Sequence, residues 1–115
     1  MKATYWQRGE SLDYKNNTTA VIEENTIISI ATRIGVAGTA IEPGQTGSLH
    51  VTGVFEIAKA EGEAITMGTA VYFDGNAITA TADGNTPAGY AAQDAAKSAS
   101  TVLVKLLGSE VPYER

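Results

Sequence analysis

The 115-residue sequence contains no cysteine and a single histidine, His50. Without cysteine, the chain can form neither a disulfide framework nor a thiolate metal site, and it has no cysteine nucleophile. One histidine excludes a metal site built from several histidines, and no Ser-x-Gly elbow offers it a serine nucleophile. We therefore expect no enzymatic activity, no cofactor and no bound metal, and we interpret His50 as a structural or interface residue.

Basic residues are also scarce: the chain has 8 Lys and Arg against 13 Asp and Glu, and its formal net charge is -5. A nucleic-acid partner would require a basic surface over its phosphates, so we expect none. Residues 1–10 lack the apolar segment of a secretory signal. Arg33 interrupts the least polar long stretch, residues 26–41, which falls short of the roughly 20 apolar residues of a membrane span. We expect a soluble, non-exported protein that does not contact membranes.

Large apolar side chains are few, with two Phe, one Trp and two Met, although 43% of the residues are hydrophobic. Alanine supplies much of that fraction. Because burial contributes roughly 25 cal/mol per Å² of apolar area, an alanine-rich core gains little stability per residue. The length is that of one domain. The composition predicts a domain with a small core that depends partly on contacts between subunits.

From residue 18 onward, short segments rich in Val, Ile and Thr alternate with Gly, Asn and Asp, which is typical of strands and turns. The predicted strands span residues 19–23, 26–33, 34–40, 48–57, 70–73, 77–82, 88–93 and 101–107. At most one helical turn is expected, at residues 94–98. The Asp-Gly dipeptides at 74–75 and 83–84 predict two-residue type I′ hairpin turns. This spacing predicts an all-β fold, a small β-sandwich or a partly open β-barrel.

A group of acidic residues in and directly after the predicted strand 48–57 could suggest a catalytic pair. Glu56, Glu61 and Glu63 supply carboxylates, but nothing in their spacing places two of them across a cleft. We therefore expect residues 58–64 to form a solvated loop.

The first 17 residues are polar, with interleaved aromatic residues and no helical period, which predicts an extended N-terminal arm or an irregular first strand. Residues 18–107 would then form the β domain and residues 108–115 an exposed C-terminal tail. Trp, Tyr and Arg are enriched at binding hot spots. The candidate contacts to a partner or to another subunit are Tyr5, Trp6, Arg8, Tyr14 and His50. The alternative is that the aromatic side chains pack on their own domain.

Several sequence blocks occur in a recognisable order. They are VTGVFEI at 51–57 followed by Ala-Lys-Ala, GEAITMGTAVYFD at 62–74, PAGYA at 87–91 and TVLVKL at 101–106. In this order they resemble the capsid cement, or decoration, proteins of tailed bacteriophages, over about residues 1–107. The chain departs from that pattern at Ala58, Thr69 and Phe73, where the family often has Pro, Asp and Trp. These are strand-end and packing positions, so the expected fold is unaffected.

The resemblance implies a small β-rich structural protein of the virion, without catalytic residues. Members of the family are taken to bind the outer face of mature capsids, often as trimers near three-fold positions. For this chain it implies the major capsid protein as partner, a homotrimer, a place on the capsid exterior and synthesis in the host cytoplasm. Two alternatives remain open: another virion component, such as a head-fibre base or a tail part, and a small-ligand-binding β-module.

Overall fold

The computed structural model describes residues 1–107, and these residues are all-β, as predicted. Their strands are β1 Ser11–Lys15, β2 Ile27–Ile30, β3 Arg33–Ala37, β4 Thr46–His50, β5 Val54–Ala58, β6 Ala70–Phe73, β7 Ile78–Thr79, β8 Thr86–Ala91 and β9 Thr101–Leu106. The predicted tail, residues 108–115, lies outside the described residues. Among residues 1–107 there is no helix long and apolar enough to cross a membrane.

The strands form two antiparallel sheets. The first has four strands in the order β1-β4-β3-β2, and the second has five in the order β5-β9-β8-β6-β7. Residues 11–50 therefore build one sheet and residues 54–106 the other, and the chain passes between them at 51–53. The second sheet curls, since a parallel bridge between Lys59 and Ile78 brings β7 back to the end of β5. Over residues 1–107 the architecture is a small β-sandwich, one of the two predicted forms, and not a closed barrel.

The prediction of a single strand at residues 48–57 is wrong. Its sequence alternates as one strand would, but the chain turns at Gly53, where φ is +118°, and the two halves enter different sheets. L side chains rarely adopt this conformation, whereas glycine does so without a steric penalty. Leu49 is consequently buried in the first sheet, while Ile57 is buried in the core between the sheets.

Three other predicted elements are also shorter or different. Residues 19–23 form no strand and contribute a single bridge, Ile22 to Ile41. Of residues 77–82 only Ile78–Thr79 is a strand. Residues 94–98 form turns without a helix, and Ala95 forms an antiparallel bridge with Ile65 instead. Alanine's helical preference is overridden here because Ala95 is buried in the core of a β structure.

Both Asp-Gly turns differ from the predicted type I′, which requires positive φ at both central residues. In the β6–β7 hairpin the Asp74 amide donates to the Ala77 carbonyl, so the central pair is Gly75-Asn76 and only Gly75 has positive φ. The Asp74 carboxylate accepts the Asn76 and Ala77 amides, which lowers its pKa. In the second turn only Gly84 has positive φ, and the turn joins β7 to β8, which flank β6 without pairing with each other.

The hydrophobic core lies between the sheets. From β3, Ile34 and Val36 pack against a cluster supplied mainly by the second sheet. The remaining buried members are Ile57, Ile65, Val71, Ile78, Ala88, Ala91, Ala95, Val102, Val104 and Leu106. Nine of the twelve members are Ile, Val or Leu and only three are alanines, so the predicted core of small side chains is wrong. Most alanines of the chain lie at exposed or half-buried positions instead.

Close backbone packing in the second sheet depends on Gly89 of β8. It pairs with Leu106 of β9 at φ +138°, and a Cβ there would lie 1.9 Å from the Lys105 carbonyl oxygen. We expect Gly89→Ala to lower the free energy of unfolding by about 3 kcal/mol or more, because the backbone must shift. The control is Gly62→Ala, which also has positive φ (+78°) but no atom within 4 Å.

The control substitution should cost about 1 kcal/mol, for the backbone conformation alone. Denaturant titration of both variants measures the difference. Equal losses would show that β8 and β9 can separate enough to accept a side chain.

Candidate interaction surface

The N-terminal residues project from the fold. Residues 1–9 have no secondary structure, and the side chains of Tyr5 and Trp6 are 79% and 87% exposed. Within residues 1–107, no hydrogen bond involves residues 1–7; the first is the ion pair of Arg8 with Glu10 at 3.1 Å, and both partners are exposed. Exposed ion pairs contribute little stability. In this structure the two aromatic rings therefore do not pack on their own domain. Because β1 begins at Ser11, the extended part is shorter than the predicted 17 residues, and from here on the arm means residues 1–9.

The arm continues into β1, an edge strand of the first sheet. β1 pairs with β4 in the register Ser11 to His50 and Tyr14 to Gly47. Tyr14 is half-buried in this strand, unlike Tyr5 and Trp6. The predicted contact residues therefore fall into two groups, one exposed on the arm and one held within the sheet at its base.

His50 belongs to the second group and connects three strands. Its Nδ1 shares a hydrogen bond of 2.8 Å with the Ser11 Oγ of β1, and its ring centroid lies 6.2 Å from that of Phe55 in β5. A Cβ on Gly38 would lie 2.8 Å from His50 Nε2, so the ring also fills the space beside that glycine. His50 therefore holds the base of the arm against both sheets.

Asn16, for which no role was predicted, holds the chain in place directly after β1. The residue is fully buried, and its Nδ2 donates to the Ala20 and Ile41 carbonyls at 2.8 Å each. Its Oδ1 accepts the amide and the hydroxyl of Thr18 at 2.9 and 2.6 Å. The side chain thus makes two donor and two acceptor contacts. Because Asn is common in the turns that follow strands, the sequence alone does not indicate that this Asn is buried.

Residues 58–64, predicted to form a solvated loop, are exposed or half-buried except for Lys59, and two of their side chains also hold the loop in place. Lys59 is buried, and its Nζ donates to the carbonyls of Ala60, Glu63 and Lys97 at 2.8, 2.6 and 3.4 Å. The Glu63 carboxylate accepts the Thr79 hydroxyl and the Ala80 amide, and these two hydrogen bonds lower its pKa. Local sequence patterns do not predict these contacts, because Thr79, Ala80 and Lys97 lie 16 to 38 residues from their partners.

A cleft of about 530 Å³ lies beside β5. Its apolar lining comes from both sheets and includes Ile27, Val36, Phe55, Ile57 and Phe73. The polar side chains of the lining are Asn25, Glu56 and Asn76. His50 and the arm do not contribute to it. Across residues 1–107 no three His, Asp or Glu side chains come together in a way that would hold a metal ion.

Comparison with known proteins gives one finding. Residues 6–106 match the model of a family described as phage cement protein. None of the curated proteins and none of the solved structures matches the sequence significantly. The matched range begins at Trp6 of the arm and ends with β9, so it includes almost every described residue.

The buried amide of Asn16 permits a matched test. We expect Asn16→Ala to lower the free energy of unfolding by about 2–4 kcal/mol, because the Ala20 and Ile41 carbonyls lose their donor and a cavity remains. The adjacent Asn17 is exposed. Asn17→Ala should stay within about 0.5 kcal/mol of the parent.

Urea titrations of the two variants provide the comparison. A small effect of Asn16→Ala would show that water replaces the lost donor, and that Asn16 does not hold the base of the arm.

Proposed function

The chain belongs to the phage cement protein family, and we propose that it binds the outer surface of the mature capsid and stabilises the head. Family membership gives the chain a structural role in a phage. The match over residues 6–106 is the observation that carries the proposal. The exposed arm supports it, because an unpacked Tyr-Trp pair is a ready contact for a larger partner.

The physical task of such a protein is to strengthen junctions between capsid subunits. Packaged DNA pushes the shell outward, so these junctions tend to open. A protein that binds the closed junction and not the open one stabilises the closed state by mass action. The net charge of -5 agrees with a place outside the shell, away from the packaged DNA.

We propose the major capsid protein as the partner and a homotrimer as the binding form. Three linked copies bind with avidity, so that modest contacts by each copy add up to stable attachment. The proposed contacts to the capsid or to another subunit are the arm residues Tyr5, Trp6 and Arg8, with Tyr14 and His50 supporting them from the first sheet. Synthesis in the host cytoplasm and the absence of enzymatic activity belong to the same proposal.

Binding to capsids is the direct test. We expect the purified protein to co-sediment with undecorated capsids of its phage and to raise their resistance to heat or chelation. A variant lacking residues 1–9 should bind at least about tenfold more weakly, since it loses the exposed aromatic side chains. Its circular dichroism spectrum should show the parent's strand content, because those residues contain no strand.

The control is Met67→Ala, which removes another exposed apolar side chain that lies outside the arm. It should bind capsids as the parent does. Failure of the parent protein to co-sediment or to stabilise the capsids would refute the proposed function, and labelling of another part of the virion in electron micrographs would favour a head-fibre or tail role.

Oligomeric state is tested separately. Light scattering should give a mass near three times 12.0 kDa, because exposed apolar side chains such as Tyr5 and Trp6 are stabilised by burial between subunits. A monomeric mass in solution, together with single copies on decorated particles, would contradict the trimer.

A further inference from the structure

Strand β5 has one unpaired edge. It pairs with β9 alone, and the Gly53 carbonyl and the Lys59 amide, six residues apart, both bond toward β9. Because hydrogen-bonding direction alternates along an antiparallel strand, Val54 and Glu56 direct their amides and carbonyls away from β9. An edge of this kind is a template on which another extended segment can add as a strand.

The cleft described above lies along this edge. The Lys59–Ile78 bridge joins β7 to the end of β5, so the gap between β5 and the β6–β7 hairpin is open beside Phe55 to Ala58 and closed at Lys59. Phe55, Ile57 and Phe73 make its lining apolar, and Glu56 adds a negative charge. The site therefore suits an extended segment that carries a large apolar side chain and a positive charge.

We propose that this cleft receives the arm of a second copy of the chain, with Trp6 as the inserted side chain. The arm has no secondary structure, so no strand or helix has to be disrupted before it binds. Its aromatic side chains are exposed and match the apolar lining.

The charges of arm and body are complementary. Residues 1–9 contain two basic residues, Lys2 and Arg8, and no acidic one. The other 106 residues therefore hold 6 basic and 13 acidic residues, a net charge of -7. Attraction between opposite charges speeds encounter and fixes the register of the bound segment.

The positions of arm and cleft favour exchange between copies. The arm leaves from β1, at one edge of the first sheet, whereas Ile27 of β2 contributes to the cleft from the opposite edge. Each copy therefore offers an arm at one place and a cleft at another. Contacts of this head-to-tail kind close into a ring when the rotation between copies permits. The inference does not involve the capsid, so a failed capsid-binding test would contradict the proposed function and leave this inference unaffected.

Trp6 is the single tryptophan of the chain and reports directly on its own burial. A variant lacking residues 1–9 has no tryptophan and an unoccupied cleft. When this acceptor is added in excess to full-length protein that has been diluted until its light-scattering mass is that of a monomer, we expect Trp6 emission to shift to shorter wavelength in a saturable manner. Glu56→Lys in the acceptor should weaken binding about tenfold. Glu61→Lys, which makes the same charge change at an exposed residue outside the cleft, should stay within about twofold of the parent acceptor.

Two outcomes of this titration would overturn the inference. One is emission typical of an exposed indole at every acceptor concentration. The other is emission that is already shifted in dilute protein and does not respond to the acceptor, which would place the arm in its own cleft.

Disulfide trapping tests the location, since the chain has no other cysteine. Trp6→Cys protein mixed with Asn76→Cys protein should form a disulfide heterodimer on mild oxidation. The control pairs Trp6→Cys with Met67→Cys, an exposed position that does not contribute to the cleft. A heterodimer yield no higher than that of the control pair would also overturn the inference.

Discussion

The packing of β3 against the second sheet is the contact on which the arrangement of the two sheets depends. Ile34 and Val36 enter a cluster that the second sheet otherwise supplies. Nine of the twelve buried members of this cluster are Ile, Val or Leu, and their burial supplies most of the apolar area. His50, with its ring near Phe55, adds a second link between the sheets. The core is therefore built from branched aliphatic side chains, although alanine is frequent in the sequence.

The same architecture separates two features that a head-to-tail assembly needs. β1 is held by His50 and by the buried Asn16 that follows it, so the arm leaves the fold at a defined place. At Gly53 the chain turns into the second sheet, where β5 is an edge strand. The bridge from Lys59 to Ile78 joins β7 only to the end of β5, so the cleft beside the strand stays open. If an arm from one copy fills the cleft of the next, the open apolar cleft and the exposed aromatic side chains have one common explanation.

Much of the proposed contact surface can be anticipated from residue types. A polar segment with no period has no core of its own for aromatic side chains, and the structure leaves Tyr5, Trp6 and Arg8 exposed. Tyr14 lies in β1, which agrees with the predicted alternative of a first strand, but sequence patterns do not show where such an edge strand begins. The roles of Asn16 and Lys59 were missed because both depend on carbonyl groups up to 38 residues away. The cleft was not foreseen at all, since it forms between strands from both sheets.

By itself, the sequence determined that this protein is all-β, with short strands and no cysteine chemistry. These properties follow from composition and local alternation, which act within a few residues. Tertiary structure alone decided that residues 48–57 divide between two sheets, that the 58–64 loop is anchored, and that β5 keeps an open edge. Each of these depends on strand order and on contacts between distant residues, and alternation within a single segment contains no information about which strand becomes its neighbour.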